Sequence, residues 1–289
     1  MDRPGDGVPA LSPVADLHAH STASDGLLAP EAVVARAAGA GVRVLALTDH
    51  DTLAGVPAAT AAGERLGVRV IAGCEFSTLA PWGGEMHVLG YFLPAGDAAV
   101  EEFLARCRDD RRRRVERMLE KLAAHGAPVA RELVEREAAG GALGRPHVAR
   151  ALVAAGHVAD QQAAFDRFLG RGRPAYVDKA LPSFKAVATL VHAAGGVVSA
   201  AHLKDRGTRG LLAQLKAEGL DAVETRHPSH DPDQRARLTD LALALDLART
   251  GGSDWHGDGE GYSHGELGSQ EVPLEWVDAL EGRRGSRST

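Results

Sequence analysis

Cysteine is almost absent: Cys74 and Cys107 are the only two in 289 residues, and they form no Cys-x-x-Cys pair. A disulfide framework is thereby excluded as the basis of the fold, and a reducing cytoplasm is the expected setting. Aromatic residues are scarce at 4%, so the core falls to Ala, Val and Leu, which suits many helices packed on short β-branched strands. No run of 18 uninterrupted apolar residues occurs, which leaves no candidate membrane-spanning helix. The opening stretch from Met1 to Gly7 lacks the basic-then-apolar layout of a signal peptide. Basic charge is not in excess either. The net charge of −6 gives no footprint for long nucleic acid, and any carboxylates that bind divalent cations are counted in it.

What is present is an alternation of short apolar runs and helix-like stretches. Val14 to His18, Val42 to Thr48, Val68 to Cys74 and His87 to Phe92 read as strands. Pro30 to Gly39 and Leu53 to Leu66 read as helices between them, the first with Pro in its first turn and Gly at its end. From Ala98 to about Gly170 the periodicity is helical throughout. A long charged helix containing Asp109 to Arg114 (DDRRRR) ends at Ala124-His125-Gly126, and two shorter ones span Arg145 to Ala155 and Asp160 to Leu169. The arginine run reads as a solvated helix face before it reads as a phosphate site. Alternation returns with Phe184 to Ala194, Gly196 to Ala201, Ala222 to Thr225 and Leu247 to Gly251. A helix from Pro273 to Leu280 and a frayed polar tail from Gly282 to Thr289 close the chain. This order predicts an α/β fold of parallel β/α type in two parts, 1–97 and 183–289, interrupted by a helical insertion over 98–182.

Each apolar run stops at imidazole or carboxylate. Asp16-Leu17-His18-Ala19-His20 is the first such cluster. Residues two apart on a strand share a face, so His18 and His20 can chelate one ion while Asp16 orients an imidazole. Asp25 follows in a Ser/Thr/Gly loop. His50 comes after the second strand, where Asp51 is read as a helix cap. Glu75 ends a strand so apolar that its carboxylate needs a cation or an Arg partner. His87 begins the next strand, His202 ends the GVVSAA strand, and Asp254 and His256 repeat the two-apart spacing after Gly251-Gly252. Neutral imidazole and carboxylate oxygen are the donors that borderline and hard divalent cations take. In closed β/α barrels functional side chains gather at the C-terminal ends of strands. A metal-dependent hydrolase with more than one ion is the expectation.

The ordered set DLHAHSTASDG, LALTDHDT, GCEFS, MHVLGY, AAH and GGSDWH resembles the polymerase-and-histidinol-phosphatase (PHP) superfamily of phosphoesterases. The resemblance implies a distorted seven-stranded β/α barrel holding three divalent ions, with manganese expected and iron or zinc as alternatives. By motif, it implies that His18, His20, Glu75 and Asp254 hold one ion. Glu75 then bridges to a second held by His87 and His202, and Asp25, His50 and His256 hold the third. The insertion, with Gly144-Arg145-Pro146-His147 and Gly170-Arg171-Gly172-Arg173, resembles that of the 3′,5′-nucleoside bisphosphate phosphatases, which are related to enzymes that trim short RNA from the 5′ end. His227-Pro228-Ser229-His230 resembles a loop of the same subgroup.

The implied reaction is release of the 3′-phosphate of a nucleoside 3′,5′-bisphosphate by a hydroxide bridging two metals, because coordination lowers the pKa of water. Glu75 and Asp254 are the central catalytic carboxylates, and His230 is a candidate proton donor to the leaving oxygen. Arg145, His147 and Arg173 are candidate holders of a second phosphate, with helix capping or a salt bridge to the barrel as the equal alternative. The subgroup usually has Pro after its last histidine ligand, often as His-Pro-Gly-Arg. Here the chain reads His202-Leu203-Lys204-Asp205-Arg206, which makes Arg206 the candidate phosphate-binding arginine. A small phosphorylated nucleotide or short RNA is thus the expected partner. The competing readings are a 5′-to-3′ exoribonuclease on short RNA, a histidinol phosphate phosphatase, and a metal-binding regulatory module without turnover.

Overall fold

A computed structural model describes residues 14–258 and 265–285. Its centre is a seven-stranded sheet whose spatial order follows the chain: β1 (Val14–Ala19), β2 (Val42–Leu47), β3 (Arg69–Leu79), β4 (Glu85–Tyr91), β5 (Val197–Ala200), β6 (Ala222–Arg226) and β7 (Ala248–Gly251). The first and last strands meet through the segment after β7. There the Asp254 N–H donates to the His18 carbonyl at 2.8 Å, and the His20 N–H donates to the Trp255 carbonyl at 2.9 Å. The α/β barrel expected from the sequence is therefore present, with one departure from parallel pairing. β4 runs antiparallel to both β3 and β5.

That reversal has a simple cause. β3 does not stop at Cys74 but continues to Leu79 and turns back through Ala80–Gly84, a loop short enough to demand an antiparallel partner. Gly83 and Gly84 hold the turn at φ +78° and +96°. Two sequence expectations are corrected accordingly. Glu75 lies inside a strand, not at its end, and His87 is the third residue of a strand that begins at Glu85.

Ten helices occur among the described residues: α1 (Pro30–Gly39), α2 (Val56–Leu66), α3 (Ala98–Ala124), α4 (Arg131–Ala138), α5 (Arg145–Ala154), α6 (Gln161–Ala164), α7 (Phe184–Ala193), α8 (Arg209–Ala217), α9 (Pro232–Ala244) and α10 (Leu274–Gly285). Several start where capping chemistry places them. Asp97 accepts the N–H groups of Ala99 and Val100 at the head of α3, and Asp231 accepts that of Gln234 at the head of α9. The region read as Asp160 to Leu169 is a single α turn followed by a π turn over Phe165–Leu169. The polar tail is also corrected: helix α10 continues to Gly285, and 286–289 lie outside the described residues.

Buried aliphatics of β3–β6 pack on α3, α7, α8 and α9, and those of β1 and β2 pack on α1 and α2. A separate cluster includes Val115, Met118, Leu122, Val134, Leu152 and Leu169, and it draws only on residues 115–177. The arginine run divides between two jobs. Arg112 and Arg113 pair with Asp109 and Asp110 on the surface, as a solvated face would. Arg111 and Arg114 are buried instead: Arg111 Nε donates to Asp51 at 2.7 Å and Arg114 Nε to the Val177 carbonyl at 2.8 Å. Asp51 is thus an anchor for α3 and caps no helix. Among the described residues, no helix is long and apolar enough to cross a membrane.

Closure of the barrel leaves no room beside β1. A Cβ added at Gly252 would lie 2.4 Å from the His18 amide nitrogen and 2.8 Å from an Asp16 carboxylate oxygen. Gly252→Ala is expected to lower unfolding stability by about 1–3 kcal/mol in urea titrations. Gly210→Ala in α8, where an added Cβ meets nothing within 4 Å, should be neutral or slightly stabilising. Equal stabilities for the two variants would contradict this closure.

Candidate metal centre

One carboxylate organises the barrel mouth. Glu75 is 1% exposed and projects from β3 among five imidazoles supplied by four different stretches of chain. Its Oε2 lies 3.2 Å from His18 Nε2, 3.1 Å from His20 Nε2 and 3.3 Å from His50 Nδ1. Its Oε1 lies 2.7 Å from His87 Nδ1 and 3.1 Å from His202 Nε2. A carboxylate has about four lone-pair sites, so five nitrogens at this range exceed what hydrogen bonding alone can use.

The other two carboxylates stand on either side. Asp254 Oδ1 is 3.3 Å from His18 Nε2 and 3.2 Å from His20 Nε2. Asp25 Oδ1 is 3.4 Å from His256 Nε2, and its Oδ2 is 3.9 Å from His50 Nε2. Donor atoms within 4.8 Å of one another form three sets around Glu75 and His20: His18, His20, Glu75 and Asp254; His20, Asp25, His50 and His256; and His50, Glu75 and His87. His202 joins the last through Glu75. The structure therefore brings together all nine residues that the motifs singled out.

Nitrogen and oxygen donors without thiolate suit borderline divalent cations. Cys74, next to Glu75, points to the opposite face of β3 and is buried in the hydrophobic core. Both ring nitrogens of His20, His50 Nδ1 and Asp25 Oδ1 are fully buried yet make no hydrogen bond, even where an oppositely disposed group is within ion-pair range. Buried polar atoms aimed at a common centre without bonding one another have the geometry of ligands, and these residues fit a group of metal ions.

Surrounding groups fix which nitrogen faces inward. Glu224 on β6 takes His18 Nδ1 at 3.0 Å, and Glu85 takes His87 Nε2 at 3.0 Å. The His256 Nδ1–H faces the Asp254 carbonyl at 2.9 Å. Each contact leaves the opposite nitrogen with its lone pair toward the centre. Burial would raise the pKa of Glu75, but the adjacent His50, His87 and His18 hold it well below the carboxylate range, so it is ionised. The loop carrying Asp25 is clamped by Asp49, which accepts from Ser21 N at 2.8 Å, Ser21 Oγ at 2.7 Å and Ser24 Oγ at 2.6 Å. Asp254 and His202 adopt left-handed backbone at φ +51° and +32°, strain that the surrounding bonds sustain.

Other expectations are corrected by position. Asp16 orients no imidazole; it accepts the N–H groups of His18, Ser253 and Gly268 and ties β1 to the closing segment. His147 is fully buried with both nitrogens engaged, Nδ1 accepting from the Gly144 N–H and Nε2 facing the Ser24 carbonyl. It braces the Asp25 loop and does not face the cavity. His230 is also buried, taking the Lys204 N–H on Nε2, and burial lowers its pKa to about 4, so near neutrality it is a neutral imidazole whose Nδ1 faces the Thr225 carbonyl. Arg145 lies 5.9 Å from the ring centres of both Phe165 and Tyr176, Arg173 is exposed, and Arg206 lies 5.2 Å from the Trp82 ring centre in a cavity that also meets His87 and His202. Two residues were given no role of their own by the sequence reading. His227 Nε2 lies 3.3 Å from Asp254 Oδ2, and Glu224 is fully buried. The available signal for Glu224 was a lone carboxylate inside the strand Ala222–Arg226.

A family model for the PHP domain matches residues 16–115. A Haemophilus influenzae protein named 5′-3′ exoribonuclease is 36% identical over 247 residues, covering 83% of this chain and 89% of that protein. The chain belongs to the PHP family. A Chromobacterium violaceum member named 3′,5′-nucleoside bisphosphate phosphatase is 33% identical over 253 residues, covering 85% and 88% respectively. A solved structure from Bifidobacterium adolescentis, named as a metal-dependent phosphoesterase, superposes with a TM-score of 0.86 at 33% identity, covering 96% of this chain and 98% of that one. This PHP protein is accordingly a metal-dependent phosphoesterase, a hydrolase whose clusters of His, Asp and Glu are able to bind metal ions.

Glu224 meets the centre through His18 Nδ1 and through the His202 backbone N–H, which donates to its Oε2 at 2.8 Å. Glu224→Leu is expected to weaken metal retention by about 10- to 100-fold in competition with a chelator, with the fold intact by circular dichroism. Unchanged retention would show that the contact does not tune His18.

Proposed function

We propose that this PHP protein hydrolyses phosphoesters of small nucleotides, with the 3′-phosphate of nucleoside 3′,5′-bisphosphates as the expected small substrate. The observation that carries this reading is the buried carboxylate of Glu75, shared between two adjoining sets of nitrogen and oxygen donors. In the proposed loading, His18, His20, Glu75 and Asp254 hold one divalent ion. Glu75, His87 and His202 hold a second, and Asp25, His50 and His256 hold the third, with manganese expected. Bound ions supply charge stabilisation for the phosphoryl group and a water of lowered pKa.

The chain's own groups do the rest. Glu224 and Glu85 keep protons on the outward nitrogens of His18 and His87, so both rings present lone pairs to the centre. A cavity of about 440 Å³ opens beside Glu75 and Asp254 and extends past His227 to Pro146 and Phe165 of the helical region. Arg145, 5.9 Å from the ring centre of Phe165, is the candidate for a second phosphate, because a guanidinium can bind phosphate through paired N–H groups. His147 and His230 take positioning roles in this proposal, given their buried contacts. A cytoplasmic setting fits the two free cysteines.

The manganese-loaded protein is expected to release inorganic phosphate from adenosine 3′,5′-bisphosphate. Glu75→Gln and His20→Ala should each reduce kcat/KM by at least about 100-fold and lower metal content. If the loaded wild-type protein releases no phosphate from any nucleotide, the reading fails.

A further inference from the structure

One face of the β3–β4 pair carries a row of polar side chains. Glu75 and Ser77 lie two apart on β3, and Glu85 and His87 lie two apart on β4, so each pair shares a face. Register puts Ser77 directly opposite His87, which brings all four to the same side of the sheet.

Lys179 is laid across this row by the segment that returns from the helical region to α7. The Leu79 N–H donates to the Pro182 carbonyl at 2.7 Å, and a bridge joins Leu79 to Ser183, so the returning chain runs along the end of β3. Lys179 Nζ then donates to Ser77 Oγ at 2.8 Å on β3 and to Glu85 Oε1 on β4. The same Oε1 lies 3.0 Å from His87 Nε2, and His87 Nδ1 lies 2.7 Å from Glu75. A single line of contacts thus runs from Ser77 through Lys179, Glu85 and His87 to Glu75.

Two features tie the ammonium to that line. The Lys179 side chain is only 14% exposed, although lysine ordinarily keeps its amine in water. Its burial is costly unless a carboxylate is paired with it, and Glu85 is the carboxylate that pairs. Glu85, in turn, opens β4 at the edge of a cavity, where its side chain is 24% exposed. Without its cation it is free to turn into that cavity and leave His87 Nε2 without this acceptor.

We propose that Lys179 is a positioning residue for the metal centre. It pins Glu85 against His87 Nε2 and so keeps His87 Nδ1 turned toward Glu75. A carboxylate behind a ligating imidazole fixes the ring and raises its basicity, and the lysine decides where that carboxylate stands. The helical side of the chain then governs ion retention as well as lining the cavity. This role rests on the proposed loading, in which His87, His202 and Glu75 hold the second ion.

The test counts manganese per chain in the loaded protein against rising chelator. Lys179→Met, which keeps a stem of similar length, is expected to release one of the three ions at about 10- to 100-fold lower chelator concentration, while the other two leave as in the wild type. Glu85→Gln should do the same. In that background Lys179→Met should add less than about 2-fold, because both act through one contact. A lysine that only ties the helical region to the barrel would lower the melting temperature and leave the ions in the wild-type order. Wild-type retention in Lys179→Met, equal weakening of all three ions, or full additivity of the two variants overturns the role. A wild type that holds its ions but releases no phosphate from nucleotides sinks the reading of function, and retention alone then decides the role of Lys179. A wild type that holds no ion beside His87 overturns both.

Discussion

The structure depends on keeping one ionised carboxylate, Glu75, out of water. A buried carboxylate is costly unless surrounding groups offset its charge, and here five imidazoles from four stretches of chain stand within 3.3 Å of it. Satisfying it requires β1, the end of β2, β4 and the loops after β5 and β7 to converge on one point. Barrel closure serves that convergence. The bonds between His18 and Asp254 and between His20 and Trp255 join the sheet edges, and the same residues present side chains to Glu75 and its neighbours.

A second tier of carboxylates holds the first in place. Asp16 fixes the backbone around His18 and Ser253, Asp49 fixes the loop that carries Asp25, and Asp51 anchors α3 through Arg111. None of the three faces the centre. In sequence they sit within one or two residues of ligating positions, because the strand ends that deliver ligands also need their exposed backbone groups satisfied. The helical region contributes in the same manner through His147, which reaches the Ser24 carbonyl from α5.

Much of the centre was legible in the sequence because its ligands come in short, spaced motifs. His18 and His20 share a strand face, and Asp254 and His256 repeat the spacing, so local periodicity alone places them together. Glu75 was identified by chemistry, as a carboxylate in an apolar run, although the expectation that β3 ended there was wrong. Reversal of β4 depends on the turn at Gly83 and Gly84 and on long-range pairing, which local patterning does not encode. Contacts separated by many residues were likewise hidden. Nothing near His18 announces Glu224, 206 positions away, and nothing near His147 announces the Ser24 carbonyl. The substrate-side residues read worst, because an Arg or His in a helical region looks the same in sequence whether it faces a cavity or braces a loop.

In the proposed loading Glu75, buried at a desolvation cost, is the carboxylate that two ions share. The most direct test is anomalous X-ray diffraction at the manganese edge from crystals of the metal-loaded protein. Three peaks are predicted, two of them touching Glu75 and the third lying among Asp25, His50 and His256. A fully loaded crystal with no peak beside Glu75 would contradict the account.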